Sequence, residues 1–303
     1  MWFIVAISSF FLIAVTAITD KFLLTKSRLV PVSYAFLVGF LGAIASIFLL
    51  IWEPNFHYPK EQLFLIILAG AGFYFAIYFM YLAVVKNEIS RVNPIINSLV
   101  PIFTYSLSII LVVEYLSSLK MIGAAIVIMG SYLLSQAGVK KSRLNLTAII
   151  YIAISSLMFG AHHIFSKIIY SQTSFLNAFV WIRWFILVVA LVYVSLSGNW
   201  PKIFSGRKKE PEKVAVKTQW SVLIFGQACG AVAILLYQYA IKLGSPTLVT
   251  SLQGVQYFFL LLLAIMLTRR FPQLFKEDIS AKVIGKKVFY SLILFLGIIL
   301  ILV

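Results

Sequence analysis

The sequence predicts an all-α integral membrane protein of about ten transmembrane helices, arranged as two inverted five-helix repeats. Three observations carry this. Of 303 residues, 62% are hydrophobic and only 11% charged, and the mean hydropathy is +1.03, whereas soluble domains are about one-quarter charged. The apolar residues fall into ten runs, each near the roughly 20 residues a helix needs to cross a bilayer. The two halves of the chain also align with each other.

The runs are bounded by charges or turn residues. The first, 2–19, stops at Asp20-Lys21, and the second, 32–52, at Glu53. The third, 62–85, lies between Glu61 and Lys86; the fourth, 92–113, lies between Arg91 and Glu114 and carries Pro94 and Pro101 as a candidate hinge. The fifth, 119–138, ends before Lys140-Lys141, and the sixth, 146–167, ends at Lys167. The seventh, 175–197, contains Arg183, and the eighth, 219–241, holds Gly226 and Gly230 at the spacing of close-packed helices. The ninth, 246–268, opens on Pro246 and stops at Arg269-Arg270, and the tenth is 286–303. Long runs without apolar/polar alternation can satisfy their backbone in lipid only as helices. The first run starts Met1-Trp2-Phe3-Ile4 without a basic region and reads as a retained helix, not a signal peptide. Residues 199–218 read as a loop, which leaves no room for a soluble catalytic module.

The formal charge of +16, from 25 Lys and Arg against 9 acids, would suggest nucleic acid in a soluble protein. Here the basic residues sit at helix ends, so no nucleic-acid partner is expected. Odd-numbered loops carry 20 of the 25 and even-numbered loops four. This bias puts the odd loops in the cytoplasm, in a plasma (inner) membrane, with both termini outside. Cys229 is the single cysteine, which excludes an intramolecular disulfide or a cysteine metal cluster.

Setting Lys86 against Lys242 aligns Gly70 with Gly226 and Asn97 with Gln253, and setting Lys21 against Lys167 aligns the ends of runs one and six. Five spans per half is an odd number, so the second copy is inverted relative to the first. The halves are 1–138 and 139–303. Inverted repeats of this kind are the architecture of alternating-access carriers, with substrate held where the halves meet.

Tyr81-Leu-Ala-Val-Val-Lys, then Ile96-Asn-Ser-Leu-Val-Pro-Ile-Phe-Thr104, Glu114, and Gly123 through Gly130 resemble the third to fifth helices of EamA-type members of the drug/metabolite transporter superfamily. Tyr239 to Pro246, Ser251 to Phe258 and Ser155 to Gly160 resemble the second half more loosely. The resemblance implies a ten-helix, two-repeat carrier of small metabolites or drugs. It also implies cytoplasmic termini, opposite to the charge bias. The family's tryptophan-glycine-serine-asparagine start is absent, because Trp2 is followed by Phe3-Ile4.

All nine acids lie at span ends or in loops, so proton coupling through a mid-membrane carboxylate has no residue to use. Arg183, about eight residues into its span, is the sharpest polar signal. An arginine at the bilayer centre costs about 2.5–3.5 kcal/mol on insertion scales, which suggests an anion or carboxylate site, with Trp181 and Trp184 stacking beside it. The alternative is an arginine satisfied by helix-end carbonyls or snorkelling to the interface. His163, or its neighbour His162, is a candidate substrate or proton site. Adjacent positions point about 100° apart, so both are not expected to face one cavity. Asn93 with Asn97, Gln253 with Gln256, and Gln227 form polar stripes suited to a polar substrate or to interhelical bonds, and Tyr239 is one of several tyrosines on the same spans.

The function expected is transport of a small polar metabolite, an amino acid or other carboxylate-bearing compound, by alternating access and as an exporter. Spans three, four, eight and nine would rock against the rest. The partners are the small-molecule substrate and the lipid bilayer, and a homodimer is compatible. No cofactor, metal or catalytic group is expected: no nucleophile with a base, phosphate loop or paired carboxylate stands out. The alternatives are a membrane-embedded enzyme or assembly factor, or a flippase for a lipid-linked sugar.

Overall fold

The computed structural model describes residues 1–24, 31–85, 89–137, 144–204, 216–270 and 281–303. The described residues are chiefly helical, without strands. In chain order the helices are α1 (Trp2–Leu24), α2 (Pro31–Ile47), α3 (Leu63–Val85), α4 (Ile89–Ile110), α5 (Ser118–Gln136), α6 (Leu146–Gln172), α7 (Phe175–Leu196), the short α8 (Trp200–Phe204), α9 (Val216–Leu243), the short α10 (Pro246–Ser251), α11 (Val255–Arg270) and α12 (Ala281–Leu302). Nine stretches among the described residues are long and apolar enough to cross a membrane, and α9, at 28 residues, fills the place of the eighth expected span.

Two departures from the expected spans have local causes. The ninth span is broken into α10, a 3-10 turn at Leu252–Gly254 and α11. At the break a Cβ on Gly254 would overlap Ser131 Oγ, so α5 presses on the chain where the helix changes pitch. The stretch read as a loop after 199 begins with α8, whose Trp200 packs edge-on to Phe36 at 5.9 Å and donates from Nε1 to Ser195 Oγ at 3.3 Å. Both prolines of α4 sit inside a continuous helix. Pro101 lacks an N–H, which leaves the Asn97 carbonyl without its usual i+4 donor.

The helices pack into two bundles, each drawing on both halves of the chain. In the first, α3 lies along α6 and α7, α2 lies on α7 and α3, and α4 lies along α6. Its core joins Ile66, Tyr74, Ile169, Phe179, Ile182 and Ile186, with Val92, Ile96, Val100 and Ile152 below α4. In the second, α1 lies along α9 and α11, and α5 along α12, around Phe10, Val127, Leu252, Leu294 and Ile301. Small residues set the close approaches. Ideal Cβ atoms on Gly130 and Gly297 would meet the Leu294 and Val127 backbone nitrogens at 2.8 and 2.7 Å, and one on Gly226 would strike Thr19 of α1. In lipid, where no hydrophobic force draws helices together, such backbone contact is a main source of association. Between the bundles, α6 and α9 are joined by side chains more than by backbone packing.

A methyl group at Gly130 has nowhere to go without parting α5 from α12. Gly130→Ala is expected to destabilise the protein by about 1–3 kcal/mol, read as a lower melting temperature in detergent. Gly285→Ala, whose Cβ meets nothing within 4 Å, should leave that temperature unchanged or slightly higher.

Candidate functional site

The polar side chains of the membrane interior gather where the two bundles face each other. His162 and His163 leave α6 side by side, both buried, with ring centroids 5.2 Å apart. His162 Nδ1 donates to the Ala69 carbonyl of α3 at 2.9 Å, and since a carbonyl can only accept, the proton sits on Nδ1. Its Nε2 then accepts from the Gln238 amide nitrogen of α9 at 2.9 Å, and Gln238 Oε1 accepts from Tyr170 OH at 3.3 Å. His163 Nε2 meets Tyr237 OH at 3.3 Å, while its Nδ1 and the nearby Ser166 Oγ are buried without a hydrogen-bond partner. α9 lies across the sector between the two rings, and Tyr237 and Gln238 each reach one of them.

Arg183 is 4% exposed. Its guanidinium carbon lies 5.1 Å from the Phe73 ring centroid and 5.0 Å from that of Phe179. Its outer edge faces α2, where a Cβ on Gly42 would be 3.5 Å from Nη1. Among the described residues no carboxylate pairs with it. Cation–π contact offsets part of the cost of burying the charge, but a ring face supplies no acceptor for the five N–H groups of the fork.

Trp181 and Trp184, expected beside the guanidinium, serve the connection after α2. Trp181 stacks on Phe56 at 5.5 Å and donates from Nε1 to the His57 carbonyl at 2.9 Å; Trp184 meets Phe56 edge-on at 5.6 Å. His57 N–H donates to Asn177 Oδ1 at 3.3 Å, and Ser174 Oγ donates to Glu53 at 2.9 Å, which seats the same connection on the start of α7.

The amides divide. Asn97 Nδ2 donates to Tyr257 OH at 2.9 Å, joining α4 to α11 beside buried Gln256. Asn93 is partly buried and its Oδ1 has no partner. Gln253 lies in the 3-10 turn that breaks the ninth span. Gln227, by contrast, is exposed on α9 and joins none of these contacts. Tyr239 packs on Phe175 at 5.1 Å and, with Phe175, Leu176, Leu235, Leu236, Glu53 and Lys242, lines an open cleft of about 420 Å³ between the start of α7 and the end of α9.

Four residues of the seam are not evident from sequence. Gln238 and Tyr170 stay hidden because a polar residue in an apolar run carries no sign of which face it occupies. Lys167 and Glu114 read from sequence as helix-end charges. Lys167 Nζ donates to the carbonyls of Ile241, Lys242 and Gly244 at 3.0, 2.8 and 2.7 Å. Glu114 Oε1 accepts from the Thr247 backbone N–H at 3.1 Å and from the Thr247 hydroxyl. The alignment of Lys21 with Lys167 is the one signal for this position.

Residues 1–136 match the model of the EamA-like transporter family, which bears out over that stretch the resemblance read from the third to fifth helices. No curated protein matches the sequence. A solved structure described only as the crystal structure of a protein has a TM-score of 0.69 at 15% identity, covering 98% of this chain and 94% of its own. At that identity the likeness shows the fold, and it extends over both halves. In general terms the family match supports a membrane transporter of the drug/metabolite type.

If Gln238 couples Tyr170 to His162, removing it should make loss of the Tyr170 hydroxyl cheaper. A double-mutant cycle of Gln238→Leu and Tyr170→Phe, followed by thermal unfolding in detergent, should show non-additivity of about 0.6 kcal/mol, the usual size for such bonds in membranes. Strict additivity would mean the two side chains act independently.

Proposed function

We propose that the protein is an alternating-access carrier, working as an exporter, that moves a small polar metabolite bearing a carboxylate or phosphate. The observation that carries this reading is Arg183, buried to 4% exposure in the inner bundle face with aromatic rings for company and no acid among the described residues. A fixed, fully buried cation costs several kcal/mol unless an anion meets it. A carried anion supplies that partner only while it is bound, which suits a site that must be vacated. Arg183 binds the anionic group, and the unpartnered atoms of His163, Ser166 and Asn93 offer hydrogen bonds to its polar remainder. Asn97, Gln253 and Gln256 line the path, and Tyr239 stands at its mouth in the cleft beside Phe175.

The division of the chain into inverted repeats, 1–138 and 139–303, is supported by reciprocity in the packing. Exchanging each span for its counterpart turns the α3–α6 pair into α9–α1 and the α4–α6 pair into α11–α1, and all four are observed neighbours. The packing favours a different moving unit from the one expected of spans three, four, eight and nine. Here α2, α3, α4, α6 and α7 travel together against α1, α5 and α9–α12, because each set is built around its own core; the interface between them is α4 packed on α10 and α5, apolar residues of α9 against the first core, and the polar contacts of the seam.

Purified protein should be stabilised by its substrate in proportion to occupancy. A thermal-shift screen of amino acids, organic acids, sugar phosphates and nucleotides is expected to yield anionic compounds that raise the melting temperature, with the rise lost in Arg183→Ala. Stabilisation by cationic compounds that survives Arg183→Ala would overturn the anion site, and a response confined to lipids would move the reading to a flippase.

A further inference from the structure

At one end of the seam the two bundles are held by charge. The connections after α2, α4 and α6 and the break between α9 and α10 share this end, as the contacts of Glu53 with Ser174, Glu114 with Thr247 and Lys167 with Gly244 require. Lys167 belongs to α6 of the first bundle. Its ammonium has three protons, and each has a carbonyl at the C-terminal end of α9, in the second bundle. These are the carbonyls a helix leaves without partners at its last turn, where the macrodipole also favours a cation. Lys167 has no donor left for a substrate.

Glu114 makes the second contact. It follows α4 and reaches Thr247 of α10. Two residues before it, Val112 has φ +55°, a left-handed conformation costly for a β-branched residue. That turn ends α4, with Val113 N–H donating to the Ser108 carbonyl at 2.8 Å, and sets the direction in which the chain carries Glu114. The other carboxylate oxygen, Oε2, is buried and has no partner, so the contact is made with one oxygen and the other stays unmet.

We propose that Lys167 and Glu114 form a two-point latch that holds this end of the seam shut, and that its release opens the buried polar cluster to the side bearing residues 53–62. The proposal rests on the seam being the transport path. At the Lys167 point release costs little backbone packing, because α6 and α9 meet mainly through side chains, whereas at the Glu114 point α4 also packs against α10. The latch also fits the open cleft nearby, which lies between α7 and α9 and ends at Lys242, one of the residues whose carbonyl Lys167 grips.

The test places a single cysteine behind the latch: Ser166→Cys, at a fully buried position on the seam face of α6, in a Cys229→Ser background. A membrane-impermeant thiol reagent is applied to each side of sealed vesicles, and Asn55→Cys, on the exposed connection after α2, identifies the side. Labelling that requires opening tracks the population of the open form. Lys167→Met is expected to raise the labelling rate of the thiol introduced by Ser166→Cys by at least about tenfold, the effect of one charge-assisted bond, from the Asn55 side only. Glu114→Ala should raise it in the same direction, and it carries the test alone if Lys167→Met does not assemble. Gly130→Ala, which loosens the distant α5–α12 contact, should leave the rate unchanged.

Equal rates in all these variants, with the buried thiol labelled throughout, would overturn the latch and leave the path standing. A rise matched by Gly130→Ala would also overturn it, as general loosening. A buried thiol that labels from neither side in any variant, yet labels once the protein is unfolded in detergent, would sink both the latch and the seam as a path.

Discussion

A polar group in hydrocarbon has no water to fall back on, and this architecture follows from where the chain finds replacements. The backbone answers by folding into helices. The side chains answer by segregation: apolar and small residues close each bundle, while His162, His163, Tyr170, Gln238, Asn97 and Tyr257 meet across the gap between them. A bundle interior packed through glycine, as at Gly130 and Gly297, resists sliding because any shift brings backbone into backbone. A seam of directed hydrogen bonds can be remade in another arrangement at comparable cost. The division between rigid and movable parts therefore follows from which residues were placed where.

Within that seam the groups fall into two kinds. The chain from Tyr170 through Gln238 and His162 to the Ala69 carbonyl is closed at every link, and the carbonyl at its end determines the histidine tautomer. Lys167 is likewise complete, with three donors and three acceptors. His163, Ser166 and Asn93 are not complete, Arg183 has aromatic rings but no carboxylate beside it among the described residues, and it is these groups that invite a ligand. A closed network gives orientation to its helices; an open one gives a site its demand.

How much of this is legible in the sequence depends on the distance over which each feature is determined. The spans are legible as apolar runs, since insertion cost is a local property of the chain, although the helices themselves run on past the flanking charges, as α6 does from Lys167 to Gln172. Arg183 is identifiable for the same reason, as one charge inside an apolar run. Gln238 and Tyr170 are not, since a single glutamine among leucines and tyrosines has no periodicity to assign its face. Trp181 and Trp184 mislead because adjacency in sequence is not adjacency in space. On a helix the neighbours of a side chain are supplied by other segments, here Phe56 and His57.

Residue order alone places the chain in a bilayer, gives it about ten crossings and puts EamA-like motifs in its first half, because each of these is written in residues close together along the chain. Packing was needed to establish that α6 lies against α3 and α4 while meeting α9 through side chains, that both histidines turn toward one helix, and that Lys167 closes the end of α9 instead of facing solvent. Those outcomes depend on which apolar faces can approach within contact distance. That is a property of three-dimensional fit between segments as far as 248 residues apart, as between Phe11 and Phe259, and no local stretch encodes it.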